Sequence, residues 1–322
     1  MSKFLDRSRA FWFAPAPPTS LGFCRLVFFA GLLWVQWPLL LHRWGGVPEM
    51  YRKPIWTFRV LRLPFLSQDV LIGMEIAWAL AIVLAAIGLF TRAATAVAFG
   101  LGFYLLLLGN NFGKIGHGDQ AIVLTMLILA LARCGDAWSI DARRADRRRG
   151  DGRERSRPTS GEYRWPIRMV WLLMCLIFCA AGVTKLLRSG VAWITSDHLR
   201  NTLILAHHYY PRPPTDLGLY LARFPRLCHV MAAGVIALEL SFPLALVLKR
   251  ARGPIVAATL LMQVGIGLLM GVWFLEFFLL YAFWVPWDRL GVRLGAALTR
   301  LRDSAGRGAR GPREVAASDR VS

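Results

Sequence analysis

The stretch Trp165-Pro-Ile-Arg-Met-Val-Trp-Leu-Leu-Met-Cys-Leu-Ile-Phe-Cys-Ala-Ala-Gly-Val-Thr-Lys-Leu-Leu187 carries no formal charge between Arg168 and Lys185. A helix of about 20 mostly apolar residues is long enough to cross a bilayer. Similar apolar runs fall at roughly 21–41, 70–90, 93–110, 118–133, 227–248, 254–271 and 272–287, with Gly271 as the turn between the last two. The chain has 322 residues, of which 56% are hydrophobic, and 13 of them are Trp. That composition exceeds what a soluble domain of this size carries. The strict alternation of barrel strands is missing, and only helices otherwise satisfy their backbone within lipid. The expected fold is therefore an all-α, polytopic membrane bundle of about eight transmembrane helices, or seven if the final pair is one segment.

The formal net charge of +20 lies mostly in loops and tails that flank the apolar runs. Positive-inside topology produces such a distribution, so the bilayer and not nucleic acid is the expected partner. Placing the N-terminus inside puts Arg92, the run 143–164, Lys249 to Arg252 and the C-terminal arginines on the cytoplasmic side. Loops 42–69, 111–117 and 188–226 then face outward, although Arg43, Arg52, Lys53, Arg59 and Arg62 in the first of them oppose the rule. The expected organisation is a cytoplasmic segment 1–16, a membrane domain 17–290 with a mobile basic linker at 142–162, and a disordered basic tail 291–322. Both termini are expected in the cytoplasm, and the protein in the plasma membrane. Lys3, Arg7 and Arg9 precede the first run without a small-residue cleavage site, so that run reads as retained.

Cys24, Cys134, Cys175, Cys179 and Cys228 lie in or beside apolar runs and form neither a CxxC pair nor a disulfide framework. No phosphate-binding glycine loop, GxSxG elbow or HExxH helix is present, and no internal repeat supports an inverted-repeat transporter. His207-His208 has too few partners for a metal site, and no metal is expected.

The informative residues are polar ones at membrane depth. An ionisable group in a span is costly and is a functional candidate by default, but a lysine near a helix end also snorkels to the headgroups. Ala180, Ala181 and Gly182, one turn before Lys185, favour close helix packing and so a protein-facing lysine. His117 opens the fourth run within Asn110-Asn-Phe-Gly-Lys-Ile-Gly-His-Gly-Asp-Gln120, at the same outer depth as Lys185 under this topology. It can hold an amine or an anionic substrate, with Asp119 orienting its ring; the competing reading is a wet interfacial loop. Glu239 in the sixth run should be protonated or paired, and its bland role is a helix-to-helix hydrogen bond. Gln263, Glu75 and Glu276 are weaker cases of the same kind.

The order of four motifs adds a resemblance. They are Asn110 to Gln120 followed by Trp138-Ser-Ile-Asp141; Ala181-Gly-Val-Thr-Lys-Leu186 with Trp193 beyond; Ala237-Leu-Glu-Leu-Ser-Phe-Pro243; and Phe283-Trp-Val-Pro-Trp287. Over roughly 17–290 the chain resembles the membrane domain of vitamin K-dependent gamma-carboxylases and the bacterial horizontally transferred transmembrane (HTTM) proteins. The resemblance implies that Lys185 is a base toward a reduced quinone (vitamin K hydroquinone or menaquinol) and that His117 assists. It further implies carboxylation of glutamate in an extracytoplasmic peptide. Asn111, Asp119, Trp193, Glu239 and Gln263 are the candidates for substrate or cofactor contact. The chain departs from the family at Gly116, where Asn is expected, and at Gln263, where animal carboxylases carry His. It also has no counterpart of their large extracytoplasmic domain, so a separate soluble subunit is a further expected partner. A non-catalytic lipid or small-molecule binder, or a transporter, is the alternative function.

Overall fold

The computed structural model describes residues 2–113, 116–148, 158–208 and 213–290; the tail 291–322, the middle of the linker and residues 209–212 lie outside it. Among the described residues the protein is all-helical and contains no strand. The helices that matter below are α1 (Pro18–Val35), α2 (Gln68–Ile87), α3 (Thr91–Leu108), α4 (His117–Leu131), α5 (Ile140–Arg148), α6 (Trp165–Ser189), α7 (His198–Ala206), α8 (Pro225–Ser241), α9 (Arg252–Met270) and α10 (Leu275–Tyr281). Five helical segments are long and apolar enough to cross a membrane, namely those built on α1, α2, α3, α6 and α9. α4, α8 and α10 are shorter.

Helix ends follow local chemistry. α1 stops at Val35, before the expected limit at 41, because Pro38 lacks the N–H and clashes with a continuing turn. Pro243 ends α8 early in the same way and leaves only a short turn, Leu244–Val247, beyond it. α2 and α9 close on Gly88 and Gly271, both in the left-handed region at φ 70° and 71°. The segment expected as the eighth span forms α10 and one 3-10 turn, Ala282–Trp284. Its beginning lies against α4, where the Glu276 carboxylate approaches Gly118. Its end reaches the Trp171 level of α6, where Trp284 stacks on Trp171 at 4.7 Å and the Trp171 indole donates to the Phe283 carbonyl at 2.7 Å.

Contacts sort the connections into two ends. At one end, Ala16 and Ser160 exchange backbone hydrogen bonds of 3.1 and 3.0 Å, tying the start of α1 to the start of α6. The turn between α2 and α3 joins the same end through Asp141, and α1 joins it through Arg25. At the other end, the Asn111 amide accepts from the Ile55 N–H at 2.9 Å, and Trp44 stacks on Phe112 at 4.8 Å. These groupings are the ones that alternating spans require.

Two expected loops are more ordered than their composition suggests. Residues 142–148 of the expected mobile linker belong to α5, because Ser139 Oγ accepts from the Ala142 N–H at 2.9 Å and caps the helix. The described residues of segment 188–226 form short helices over a small core of Leu203, Ala222 and Cys228, joined by Leu269 and Met270 of α9.

Candidate functional site

The site is built where α6 and α8 pack against each other at Gly182. A Cβ on Gly182 would sit 3.1 Å from the Glu239 Cβ and from the Leu240 side chain, so any larger residue would push the two helices a few tenths of an ångström apart. Lys185 is three residues further and therefore on the same helix face as Gly182. Its Nζ donates to Glu239 Oε1 in a tight ion pair. The side chains are 28% and 7% exposed respectively, so the amine is half-buried and the carboxylate enclosed. Glu239 Oε2 is buried and has no hydrogen-bond partner among the described residues.

Aromatic rings bound this pair. The Trp193 ring, carried past Gly190 on a short helical turn, has its centroid 5.1 Å from Lys185 Nζ. Seven residues before Lys185, about 10 Å along the axis, Phe178 packs on Phe242 at 4.6 Å and on Phe277 at 6.0 Å. Lys185 itself lies 20 residues from Trp165, the start of α6, which is about 30 Å of helix. The pair thus occupies the end opposite the Ala16–Ser160 junction. Chemically, it is an amine and a carboxylate in direct hydrogen-bond contact, with the amine reachable and one carboxylate oxygen without a partner among the described residues.

The other expected residues have different surroundings. His117 is exposed at the start of α4, and among the described residues no hydrogen bond, ion pair or ring contact joins it to Lys185. Asp119, two residues along, lies near the Glu276 carboxylate, and each approaches a glycine of the Gly116–Gly118 turn. Asn111 is fully buried; its amide donates to the Leu107 and Leu108 carbonyls at 2.9 and 3.0 Å while it holds Ile55. Gln263 is buried on α9, and its Oε1 has no partner among the described residues. The His207 ring nitrogens face the carbonyls of Leu203 (2.9 Å) and Thr215 (3.1 Å), so this histidine fastens its own segment.

Two polar clusters escaped the sequence reading. Arg25 is wholly buried in α1, donating through Nη2 to the Trp138 carbonyl at 2.5 Å. The rule that singled out Lys185 applies to it equally, since it too interrupts an apolar run. His42 Nδ1 lies 2.6 Å from Glu75 Oε2, and the Leu41 N–H donates to Glu75 Oε1 at 2.7 Å. Nothing local marks His42, because its partner is 33 residues away in the chain.

No protein-family model, curated protein or solved structure matches the chain. What the site does is therefore decided by its own geometry.

Proposed function

We propose that the protein is an eight-span membrane enzyme of HTTM type, with both termini cytoplasmic and the Lys185–Glu239 pair near the extracytoplasmic face. Its reaction is proton abstraction from a lipid-soluble acidic hydroxyl, a reduced quinone of the vitamin K or menaquinol class. The observation that carries this reading is an ion-paired amine and carboxylate, the amine half-exposed on a helix long enough to span and one carboxylate oxygen without a partner among the described residues. Moving the shared proton from Lys185 Nζ to Glu239 Oε1 leaves a neutral amine, the form able to accept a proton from substrate.

The surroundings fit such a ligand. Phe178, Phe242 and Phe277 form a buried apolar layer one to two turns from the pair that keeps water from its inner side, and Trp193 covers the amine. The Lys185 amine takes the hydroxyl proton, and Glu239 Oε2 accepts a hydrogen bond from the ligand. A reduced quinone, when bound, supplies two phenolic hydroxyls and the electrons for any oxygen-dependent step. The chain's own residues position it, exclude water and hold the proton. Carboxylation of an extracytoplasmic peptide, or delivery to a separate soluble subunit, is the downstream use we assign. His117 is not joined to the pair and stays outside this proton path.

Purified protein supplied with menaquinol and oxygen should form the quinone epoxide, and Lys185→Ala and Glu239→Gln should each abolish it. Absence of turnover with every quinol tried, by a folded protein, overturns the enzyme reading. The closed ion pair also suits a lock in a non-catalytic binder or transporter. In that case Lys185→Arg, which preserves charge but supplies no neutral amine, retains function; in the enzyme it does not.

A further inference from the structure

At the end opposite Lys185, two adjoining cavities of about 390 and 520 Å³ are lined in common by Phe90 and Asp141. Arg144 and Arg148 of α5 line the smaller one, and Arg92 and Arg133 the larger. The two acids that line the cavities are already committed. Asp141 accepts from the Phe90 N–H (3.1 Å), the Thr91 N–H (2.7 Å) and Thr91 Oγ1 (2.8 Å), capping α3. Asp136 pairs with Arg133 at 3.1 Å and accepts from the Tyr163 hydroxyl at 2.8 Å. Among the described residues Arg92, Arg144 and Arg148 have no acidic partner within salt-bridge distance, and all three are exposed.

The place is as telling as the charge. Residues 88–91 join α2 and α3, two of the five helices long enough to span, so the cavities open at the ends of those helices. Phe90 is 65% exposed and adopts φ 49°, a left-handed conformation unusual for a bulky residue. Asp141 holds that backbone by accepting its N–H, and the ring projects beside the arginines. Gly88 next to it must be glycine, since a Cβ would meet the Arg25 guanidinium and lie 2.8 Å from the Ser139 Cα.

We propose that the paired cavities bind the head group of an anionic glycerophospholipid. Its phosphate is held by Arg92, Arg144 and Arg148, and its acyl chain runs past Phe90. Guanidinium forks match phosphate oxygens, and a ring at the interface suits the glycerol–acyl boundary. This site is independent of the proton chemistry at Lys185.

Binding of dioleoylphosphatidylglycerol and dioleoylphosphatidylcholine to the full chain in neutral detergent, followed by native mass spectrometry, tests it. Phosphatidylglycerol should be retained and phosphatidylcholine not. Arg92→Gln/Arg144→Gln/Arg148→Gln should weaken retention on the order of a hundredfold, about fivefold per arginine. The corresponding triple lysine variant should keep most of it, and Arg59→Gln/Arg62→Gln at the far end should keep all of it. Phe90→Asn, which tolerates the left-handed backbone, should weaken the lipid severalfold and leave inorganic phosphate unaffected. Unchanged retention in the triple Gln variant at an unchanged melting temperature overturns the site. So does equal loss in the far-end variant, or equal retention of phosphatidylcholine. Displacement by inorganic phosphate at equimolar concentration, or no effect of Phe90→Asn, overturns the lipid as the occupant.

Discussion

Arg25 and Lys185 both interrupt apolar helices, and their surroundings set them apart. Arg25 is fully enclosed and gives its Nη2 to backbone carbonyls of Trp138 and Ala86, while Nε and Nη1 have no partner among the described residues. Lys185 is 28% exposed and faces a carboxylate with an oxygen to spare. A cation bonded to carbonyls has no acid to exchange a proton with, and guanidinium does not deprotonate in proteins. It works as a fastener, here between α1, the end of α2 and the Trp138-Ser-Ile-Asp141 segment. A half-exposed amine against a carboxylate is a proton-handling pair. Thus charge in a span is a first filter only; partner and access separate fastening from chemistry.

That contrast can be broken most forcefully at Arg25. Arg25→Ala should cost roughly 3–5 kcal/mol, through a cavity and an abandoned carbonyl, seen as a large fall in melting temperature in detergent. Arg25→Met fills the space without donating and should recover part of it. An unchanged melting temperature in the alanine variant would remove the fastening role. At the other cation, a double-mutant cycle of Lys185→Ala with Glu239→Ala should give a coupling of about 2 kcal/mol. A coupling near zero would mean that the two groups do not sense each other.

The fastening end also has a pH signature. Burial pushes the Asp141 carboxyl up, but hydrogen bonds from Thr91 and Phe90, with the Arg144 charge nearby, outweigh it and hold the group below the ordinary carboxylate range. A depressed folded value means stability that is present above the unfolded value and lost as pH falls through the folded one. Melting temperature should therefore drop on acidification through the carboxylate range. Asp141→Asn should flatten that slope and cost ~1 kcal/mol at neutral pH, as for a lost helix cap. The smallest effect belongs to Trp193→Ala, roughly 0.5–1 kcal/mol for a partly exposed cation–π contact. An effect on activity far larger than on stability would place Trp193 against substrate and not merely over the amine.

Much of the fold was legible because helix formation is a local matter. The apolar runs place α2, α3, α6 and α9 to within a few residues, and Gly271 closes α9 where expected. The misplaced limits were at Pro38 and Pro243, where hydropathy alone runs through a residue that the backbone cannot accommodate. The linker was misread in its first part because charge hid a capped helix, with Ser139 and Asp141 just before the arginines. In the site, Gly182 and Lys185 were readable together, since small residues one turn from a lysine signal close packing.

The sequence by itself determined an all-helical chain with segments apolar enough for a membrane, and a lysine whose cost demanded a partner. It did so because a helix answers its own 3.6-residue period and its own apolar content. Only the tertiary structure chose Glu239, 54 residues away, as that partner. It also turned Trp138 to Asp141 into a clamp at the opposite end. Pairing between distant helices depends on which faces meet and how closely, and a glycine at one crossing fixed that distance. No local pattern encodes it.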